Sequence, residues 1–291
     1  MGVYITLIFI CLALVTVYFI YKLMVYLINN GLYIPINKRF AIRRYVFPKD
    51  KEIQKHLSGE IMKISRSTLN GELAPYPFLH GDHSSLSNRM VCLFYDRMDT
   101  TQVPIAVHAP FVSHGCGEKI LHIGLMMVTP KYQGKGIQTM GSINLVLYYY
   151  LQRERIAITE IGSSSSYLSI QDKFMKDSYP DWKEPGKKPK QWHLEIVRHM
   201  MKKHRKDFAC STRAVLDEDT LVVRGSNQPE GGGAVSFMTT DDSRQSRDPA
   251  KSKFIKDRLD NANGDEQFFI GRPKSFLDNV RAMIVSLMRS K

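Results

Sequence analysis

The longest apolar run of the chain lies at its N-terminus, from Tyr4 to Ile28. A helix of about 25 residues spans roughly 37 Å, which is enough to cross the hydrocarbon layer of a bilayer. A cleaved signal peptide would need a basic start, a shorter apolar core and small residues at its end, and this run has none of these. We therefore expect residues 1–30 to form one uncleaved transmembrane anchor that contacts the lipid bilayer through residues 4–28.

Basic residues follow this run but do not precede it. Residues 31–50 contain proline and four closely spaced positive charges, which predicts a basic juxtamembrane linker; the charges are Lys38, Arg39, Arg43 and Arg44. The positive-inside rule places the rest of the chain on the cytosolic side. The predicted localisation is therefore a single-pass membrane protein with a cytosolic C-terminal domain.

Strand and helix periods alternate over residues 51–275, which we interpret as one domain. The mixed segment Lys51–Leu69 predicts one or two helices. Three strand-like runs follow, and the polar turns between them favour an antiparallel meander. These runs are Met90–Tyr95, Val103–Val112 and Lys119–Val128.

The third strand leads through a short loop into an amphipathic helix at 137–151. A strand at Ile156–Ile161 and a helix at Tyr167–Lys176 come next. A strand, loop, helix and strand in this order imply a parallel crossover. Antiparallel and parallel pairing together predict an α+β fold (an α/β mixed sheet) with one central sheet.

The last third of the chain has weaker patterns. Two late strands are predicted at Leu221–Val223 and Gln267–Ile270, and the Gly-, Ser- and Asp-rich residues at about 225–265 predict a flexible insertion. Residues 276–291 predict a C-terminal amphipathic helix. That helix either docks onto the core or lies on the membrane.

The net charge of the chain only partly limits the classes of molecule that it could bind. The net charge of +13 attracts phosphates, nucleic acid, anionic lipid or acidic cofactors without choosing among them. Few aromatic residues lie between the charges of the basic stretch Lys183–Lys206, which argues against nucleic acid and favours a solvated or lipid-facing surface. No metal is expected, because the His80–His83 segment is not matched by a second pair with ligand spacing.

The candidate chemistry is concentrated in the loop after the third strand. Pro130 ends that strand, because proline cannot donate to a central ladder. Gly134 and Gly136 allow positive φ and close approach of the backbone to a ligand. Backbone N–H groups of residues 134–138, at the start of a helix and beside Lys131 and Lys135, form a site suited to a pyrophosphate. Neither a Walker loop nor the three-glycine dinucleotide fingerprint occurs.

The sequence Val128-x-Pro130-x-Tyr132-Gln133-Gly134-Lys135-Gly136-Ile137 resembles the acetyl-CoA signature of the GNAT superfamily of N-acyltransferases. In that family a Q/R-x-x-G-x-G/A loop holds the CoA pyrophosphate. The last motif position departs from the pattern, since Gln138 stands where glycine or alanine is expected. The resemblance covers residues 90–180 well and 205–275 loosely. It implies acetyl-CoA or another acyl-CoA as co-substrate, bound by Met127, Val128, Gln133, Gly134, Lys135, Gly136, Ile137 and Gln138.

The resemblance also implies roles in acyl transfer to an amine. A backbone N–H at Met127 or Val128 would polarise the thioester carbonyl. His122 and Glu160, on adjacent strands, are the candidates for removing the amine proton. The tyrosine that protonates the thiolate in this family aligns with Phe174, and the alternatives are Tyr167 and Tyr179.

These patterns together predict a GNAT-like acyl-CoA transferase fold preceded by one transmembrane helix. Its function would be to move an acetyl or other acyl group to an amine-bearing acceptor, which the anchor would keep near the membrane. The alternative is a catalytically degenerate member that serves as a membrane-proximal binding protein, because its aligned position lacks the tyrosine and Gln138 is bulky.

Overall fold

A mixed sheet of ten strands runs through the part of the chain that the computed structural model describes. Described are residues 2–69, 71, 73–137, 140–141, 145, 155–228, 248–275, 277–279, 281–282 and 285, with side chains from Leu14 onward. The helices are α1 (Gly2–Asn29), α2 (Lys51–Thr68), α3 (Ser166–Phe174), α4 (Gln191–Lys203) and α5 (Pro249–Lys256).

The strands are β1 (Asn30–Pro35), β2 (Phe40–Val46), β3 (Met90–Asp96), β4 (Pro104–Gly115), β5 (Glu118–Val128), β6 (Ile156–Gly162), β7 (Met175–Tyr179), β8 (Val215–Asp217), β9 (Val222–Arg224) and β10 (Glu266–Pro273). Their order in the sheet is β1-β2-β3-β4-β5-β6-β10-β9-β8, and β7 also pairs with β10. The β3–β4–β5 meander is antiparallel, and β5 and β6 pair in parallel. The predicted mixed sheet is therefore confirmed.

Residues 31–50 form two strands and not the predicted linker. β2 pairs with β3 along its whole length, from Phe40↔Asp96 to Val46↔Met90. The arginines obscured this strand in the sequence, because they interrupt its apolar pattern. In the structure the Arg43 guanidinium lies over the rings of Tyr33 and Tyr95, 5.7 and 5.6 Å from their centroids. Two aromatic rings thus cover a charge that the sequence pattern places in solvent.

The N-terminal apolar run is helical, as predicted, since α1 extends from Gly2 to Asn29. Its side chains from Val17 to Leu23 are mostly exposed, Tyr18 by 55% and Phe19 by 66%. In the described part of the chain, no helix is long and apolar enough to cross a membrane.

Helices cover both faces of the sheet and hold it in place. α2 begins where the Asp50 side chain accepts hydrogen bonds from Glu52 N and Ile53 N, a capping arrangement. Its buried residues Leu57 and Ile61 pack on the face that carries Leu93 and Val107. α4 covers the neighbouring part of the same sheet through a cluster of apolar side chains, Ile196, Val197, Met200 and Met201.

Four predictions differ from the structure or lie partly outside the described residues. α5 falls inside the predicted flexible insertion at 225–265, where Phe254 and Ile255 pack against Phe269; residues 229–247 lie outside the described residues. The helix predicted at Tyr167–Lys176 ends at Phe174, because Met175 begins β7. Of the helices predicted at 137–151 and 276–291, only some positions are described, and these are helical: 137, 140–141, 145, 277–279, 281–282 and 285.

The strands β5 and β6 stay paired over only part of their length. Their ladder runs from Lys119↔Ile156 to His122↔Thr159, while β5 continues to Val128 and β6 to Gly162. β5 has two residues between Leu125 and His122 where β4 has only Pro110, so β5 carries a bulge. Gly124 lies in this bulge with φ of +65°. Beyond the bulge β5 and β6 are no longer paired, and we call the unpaired stretch between these two strands the opening.

We expect Gly124→Ala to destabilise the fold, because the new Cβ would lie 2.9 Å from the Ala109 carbonyl oxygen at a φ that side chains avoid. The loss should be about 1–3 kcal/mol in the free energy of unfolding, measured by denaturant titration in detergent. Gly59→Ala is the control, since nothing lies within 4 Å of its added Cβ on α2. It should gain about 0.5–1 kcal/mol. Equal effects of the two variants would contradict the strained bulge.

Candidate active site

The loop between β5 and the following helical residues has the backbone that its glycines predict. Pro130–Tyr132 form a 3-10 turn, after which Gly134 and Gly136 adopt φ of +74° and +77°. The Gln133 side chain turns back and donates from Nε2 to the Val128 carbonyl at 3.1 Å. Helical bonding begins with Met140 N to Gly136 O at 3.1 Å. The N–H groups between Gly134 and Gly136 therefore stand at a helix start.

A buried tyrosine fixes this loop to the sheet. The Tyr132 hydroxyl is hydrogen-bonded to the Asp96 carboxylate, and burial followed by that carboxylate raises the pKa of Tyr132. Asp96 also pairs with Arg39 at 3.3 Å. The ammonium groups of Lys131 and Lys135 lie 5.5 and 5.7 Å from the centroid of the Tyr132 ring. Two exposed lysines are thus held beside the N–H groups, where an anion would bind.

The alternation of backbone direction along β5 shows which N–H groups face the opening. Gly124 N–H points toward β6, because it donates to the Glu160 carboxyl group. Thr129 N points the other way, to Ile105 O at 3.0 Å. Since backbone N–H groups point to opposite sides at successive residues of a strand, the N–H groups of Met126 and Val128 point the same way as that of Gly124. The predicted Val128 N–H therefore faces the opening, whereas the Met127 N–H faces β4.

Met126 was missed by the sequence analysis. The motif marks the end of the strand but not which strand neighbour each N–H faces. Only the register of β5 against β4 and β6 settles that point. The described side chains of Met127 and Ile137 are buried. Because the Met127 N–H faces β4, Met127 offers no donor to the opening, and Ile137 can contribute only its backbone N–H. Gln138 lies outside the described residues.

Glu160 lies at the point where the two strands separate. It follows Thr159, the last residue of the β6 ladder with β5, and its side chain is 3% exposed. Burial raises the pKa of Glu160 well above its ordinary range, while hydrogen bonds from Gly124 N–H and the Tyr167 hydroxyl act in the opposite direction. The Glu160 side chain thus satisfies an N–H that the broken ladder would otherwise leave unpaired.

Tyr167 is brought to Glu160 by the first turn of α3. Its ring packs on Phe269, with centroids 5.3 Å apart. A Cβ at Gly162 would lie 2.8 Å from the Tyr167 ring, so the glycine makes room for it. Burial and the adjacent Glu160 raise the pKa of Tyr167 well above its ordinary range, so its hydroxyl keeps its proton.

Further charged groups surround this pair and were not predicted as site residues. Glu266 is half-buried, this desolvation raises its pKa, and Ser226 donates to it at 2.7 Å. Arg89 is fully buried and donates from Nη1 to the Ala109 carbonyl at 3.1 Å. Tyr76 interacts with both Arg89 and Glu160, and burial raises its pKa. Arg89 immediately precedes β3 and Glu266 begins β10, positions where sequence alone favours exposure.

Two predicted catalytic residues lie elsewhere. His122 is enclosed by the rings of Phe111 and Phe208, at centroid distances of 4.9 and 5.2 Å, and its Nδ1 is 3.1 Å from Thr159 Oγ1. Burial holds the pKa of His122 well below its ordinary value, so this histidine is neutral. The Tyr179 hydroxyl lies 3.2 Å from the Asp219 carbonyl oxygen, away from Glu160.

The aligned Phe174 is buried at the end of α3. Of the four predicted catalytic side chains, the structure brings together Glu160 and Tyr167. Among the described residues no group of three or more His, Cys, Asp or Glu side chains is arranged to hold a metal ion.

Comparison with known proteins gives a likeness in structure only. No family model and no curated protein matches the chain. Solved structures do match over part of it. The NatC complex bound to Gag peptide and CoA has 14% identity and a TM-score of 0.33, over 46% of this chain and 85% of that chain.

Glucosamine-6-phosphate N-acetyltransferase from Arabidopsis thaliana has 14% identity and a TM-score of 0.30, over 42% of this chain and 80% of that one. A GNAT-family acetyltransferase from Staphylococcus aureus Mu50 has 14% identity and a TM-score of 0.32, over 46% and 84%. At such identities the likeness concerns the fold alone.

We expect Glu160→Gln to be more stable than the wild type as pH rises. A buried carboxyl whose pKa is raised on folding contributes its full stability below its unfolded value of 4.5, and that contribution is lost as pH rises toward the folded value. The difference in free energy of unfolding between Glu160→Gln and the wild type should therefore be smallest below pH 4. Above that pH it should grow by up to about 1.4 kcal/mol per pH unit.

The measurement is chemical unfolding at a series of pH values. Glu184→Gln removes an exposed carboxylate and provides the background. A gap between Glu160→Gln and the wild type that stays constant with pH would show that Glu160 is ionised in the fold.

Proposed function

We propose that this chain is an acyl-CoA-dependent N-acyltransferase of the GNAT kind, which moves an acetyl or other acyl group from CoA to an amine. The observation that carries the proposal is the opening between β5 and β6, which begins at Glu160 and ends beside the glycine loop. An acyl thioester needs such a site, with N–H donors for its carbonyl next to an anion site for its pyrophosphate.

The loop residues supply the binding part of the site. Gly134, Lys135 and Gly136 are exposed or half-buried, so their N–H groups are suited to the pyrophosphate oxygens, and both glycines have the positive φ that close approach needs. Lys131 and Lys135 add charge. The Val128 and Met126 N–H groups face the opening, where they would donate to the thioester carbonyl as negative charge develops on its oxygen.

Glu160 is our candidate for accepting the amine proton. In the transfer, the amine nitrogen forms a bond to the carbonyl carbon and the carbon–sulfur bond breaks. The nitrogen loses a proton, and the departing thiolate gains one. Because the pKa of Glu160 is raised, its ionised form is a stronger base than an exposed carboxylate, which suits that form to the first transfer. Tyr167, protonated and adjacent, is the candidate donor for the second.

The primary experiment is calorimetry of acetyl-CoA binding to the full chain in detergent. We expect saturable binding that Gly136→Trp abolishes, because an indole at this position would fill the space beside the N–H groups. Gly186→Trp is the matched control, since that glycine lies in an exposed loop with nothing within 4 Å of an added Cβ. Absence of binding by the wild type, or equal loss in both variants, would overturn the proposal.

Turnover separates the enzyme from the alternative, a catalytically degenerate binding protein. Thiol release from acyl-CoA in the presence of pooled amines should be detectable, and Glu160→Gln should lower its rate by about 10²–10⁴ while acetyl-CoA still binds. Binding without thiol release under any condition would favour the degenerate protein. Loss of binding in Glu160→Gln would instead point to a structural role for that carboxyl group.

We further propose that α1 anchors the chain in a membrane with the sheet on the cytosolic side, so that the acceptor amine is presented at the membrane. The exposed apolar surface of α1 and the basic residues after it support this placement. The Lys22 ammonium lies 5.5 Å from the centroid of the Tyr18 ring, a position that suits an interfacial lysine.

Vesicle flotation of the full chain tests the anchor. We expect the wild type to float with phospholipid vesicles and the double variant Ile20→Asp/Leu23→Asp to stay in the soluble fraction. Met98→Asp removes another exposed apolar side chain, at 78% exposure, and should float like the wild type. Flotation of all three proteins would show that α1 is not the membrane contact.

A further inference from the structure

A second polar cluster lies at the far end of the β4–β5 ladder from the glycine loop. Ser113 on β4 points toward the C-terminal end of α4, where its Oγ lies 2.7 Å from His204 Nε2. His204 Nδ1 lies 2.8 Å from Asp207 Oδ2. On its other side, Ser113 Oγ lies 3.2 Å from His199 Nε2. A serine, a histidine and an aspartate are thus joined in series, with a second imidazole beside the serine.

The hydrogen-bonding capacities of these groups determine which of them donates and which accepts at each contact. The Asp207 carboxylate only accepts, so His204 donates to it from Nδ1–H, which leaves Nε2 as the acceptor in an uncharged imidazole. The Ser113 hydroxyl therefore donates to His204, and the serine oxygen can accept only from His199 Nε2–H. Burial, followed by the neighbouring His204 and Lys203, lowers the pKa of His199, which favours its neutral form. This is the arrangement of an activated hydroxyl nucleophile.

Packing holds each member of the cluster in position. His204 is the C-cap residue of α4, with its ring 5.3 Å from that of Phe111. The Asp207 carbonyl accepts a hydrogen bond from the buried Arg89. His199 lies directly over Gly115, where a Cβ would be 2.4 Å from the imidazole Cε1. The glycine therefore gives His199 its place beside Ser113.

The cluster lies near an unpaired edge of β4. β3 begins at Met90, and the last contact of β4 on that side is the Arg89↔Phe111 bridge. Within the described residues, β4 has no neighbouring strand on that side after Phe111. The side chains of His204 and Asp207 are 20% and 23% exposed. Ser113 itself is 5% exposed and is hydrogen-bonded to both imidazoles.

We propose that Ser113 is a nucleophile and that this cluster is a second reactive site, which attacks carboxylic esters of small acyl groups. In the attack, the Ser113 oxygen forms a bond to the ester carbonyl carbon, and its proton passes to His204 Nε2. Asp207 stabilises the imidazolium that results. His199 Nε2–H donates to the oxyanion. The leaving alkoxide takes the proton from His204 as the carbon–oxygen bond breaks, and water releases the acyl group from Ser113 by the reverse roles.

A purely structural hydrogen-bond network would show the same distances but would not react. The test therefore measures covalent labelling of the serine. The full chain in detergent is treated with a fluorophosphonate probe, and the labelled peptide is identified by mass spectrometry. We expect one label, on Ser113, that is absent in Ser113→Ala and reduced at least tenfold in His204→Gln and Asp207→Asn. The rate of p-nitrophenyl acetate hydrolysis should likewise be lost in Ser113→Ala and reduced in His204→Gln and Asp207→Asn.

Ser84→Ala is the matched control, because Ser84 Oγ bonds the Asp82 carboxylate at 2.6 Å without an imidazole. This variant should label like the wild type. An unlabelled wild type, or a label that persists in Ser113→Ala, would overturn the proposal whatever the variants do to folding. Labelling needs no CoA, so its failure would leave the acyl-transfer proposal intact.

Discussion

The hydrogen bond from the Gly124 N–H to the Glu160 carboxyl group is the interaction on which the candidate active site depends. Two strands that separate inside a sheet leave backbone donors without ladder partners, and a buried unpaired donor is costly. The Glu160 side chain supplies the missing acceptor at the first position beyond the ladder. The strands can therefore diverge at that point and remain paired before it, which creates the opening and aims later N–H groups into it.

Local patterns predicted the parts of the fold that depend on neighbouring residues in sequence. The β3–β4–β5 meander, the crossover to β6 and the positive φ of Gly134 and Gly136 all follow from turn composition and periodicity. β2 was missed because Arg43 breaks its apolar pattern, and the rings that cover this guanidinium come from Tyr33 and Tyr95. Such cover arises only once the strands are paired.

The sequence predicted which residue types form the candidate site. It did not predict which way their side chains and backbone N–H groups face. Glu160 and His122 are both titratable residues on adjacent strands, and no local pattern favours one over the other. Their surroundings separate them: aromatic rings enclose His122, whereas Glu160 meets the N–H of a bulge. Likewise, the choice between Met127 and Val128 depends on which strand each N–H faces. A bulge shifts that alternation by one residue, and the amino-acid pattern of β5 does not indicate where the bulge lies.

The junction between α1 and β1 determines how far the domain can reach. α1 ends at Asn29, β1 begins at Asn30, and the Asn29 side chain accepts a hydrogen bond from Arg44 on β2 at 2.9 Å. No flexible tether separates helix and sheet, so a bilayer-bound α1 would hold the sheet edge at the headgroups. Flexible linkers let a domain sweep a volume that grows with their length. Without such a linker, a sheet attached to a bilayer-bound α1 would sample a thin layer in one orientation and would meet only molecules at a matching height.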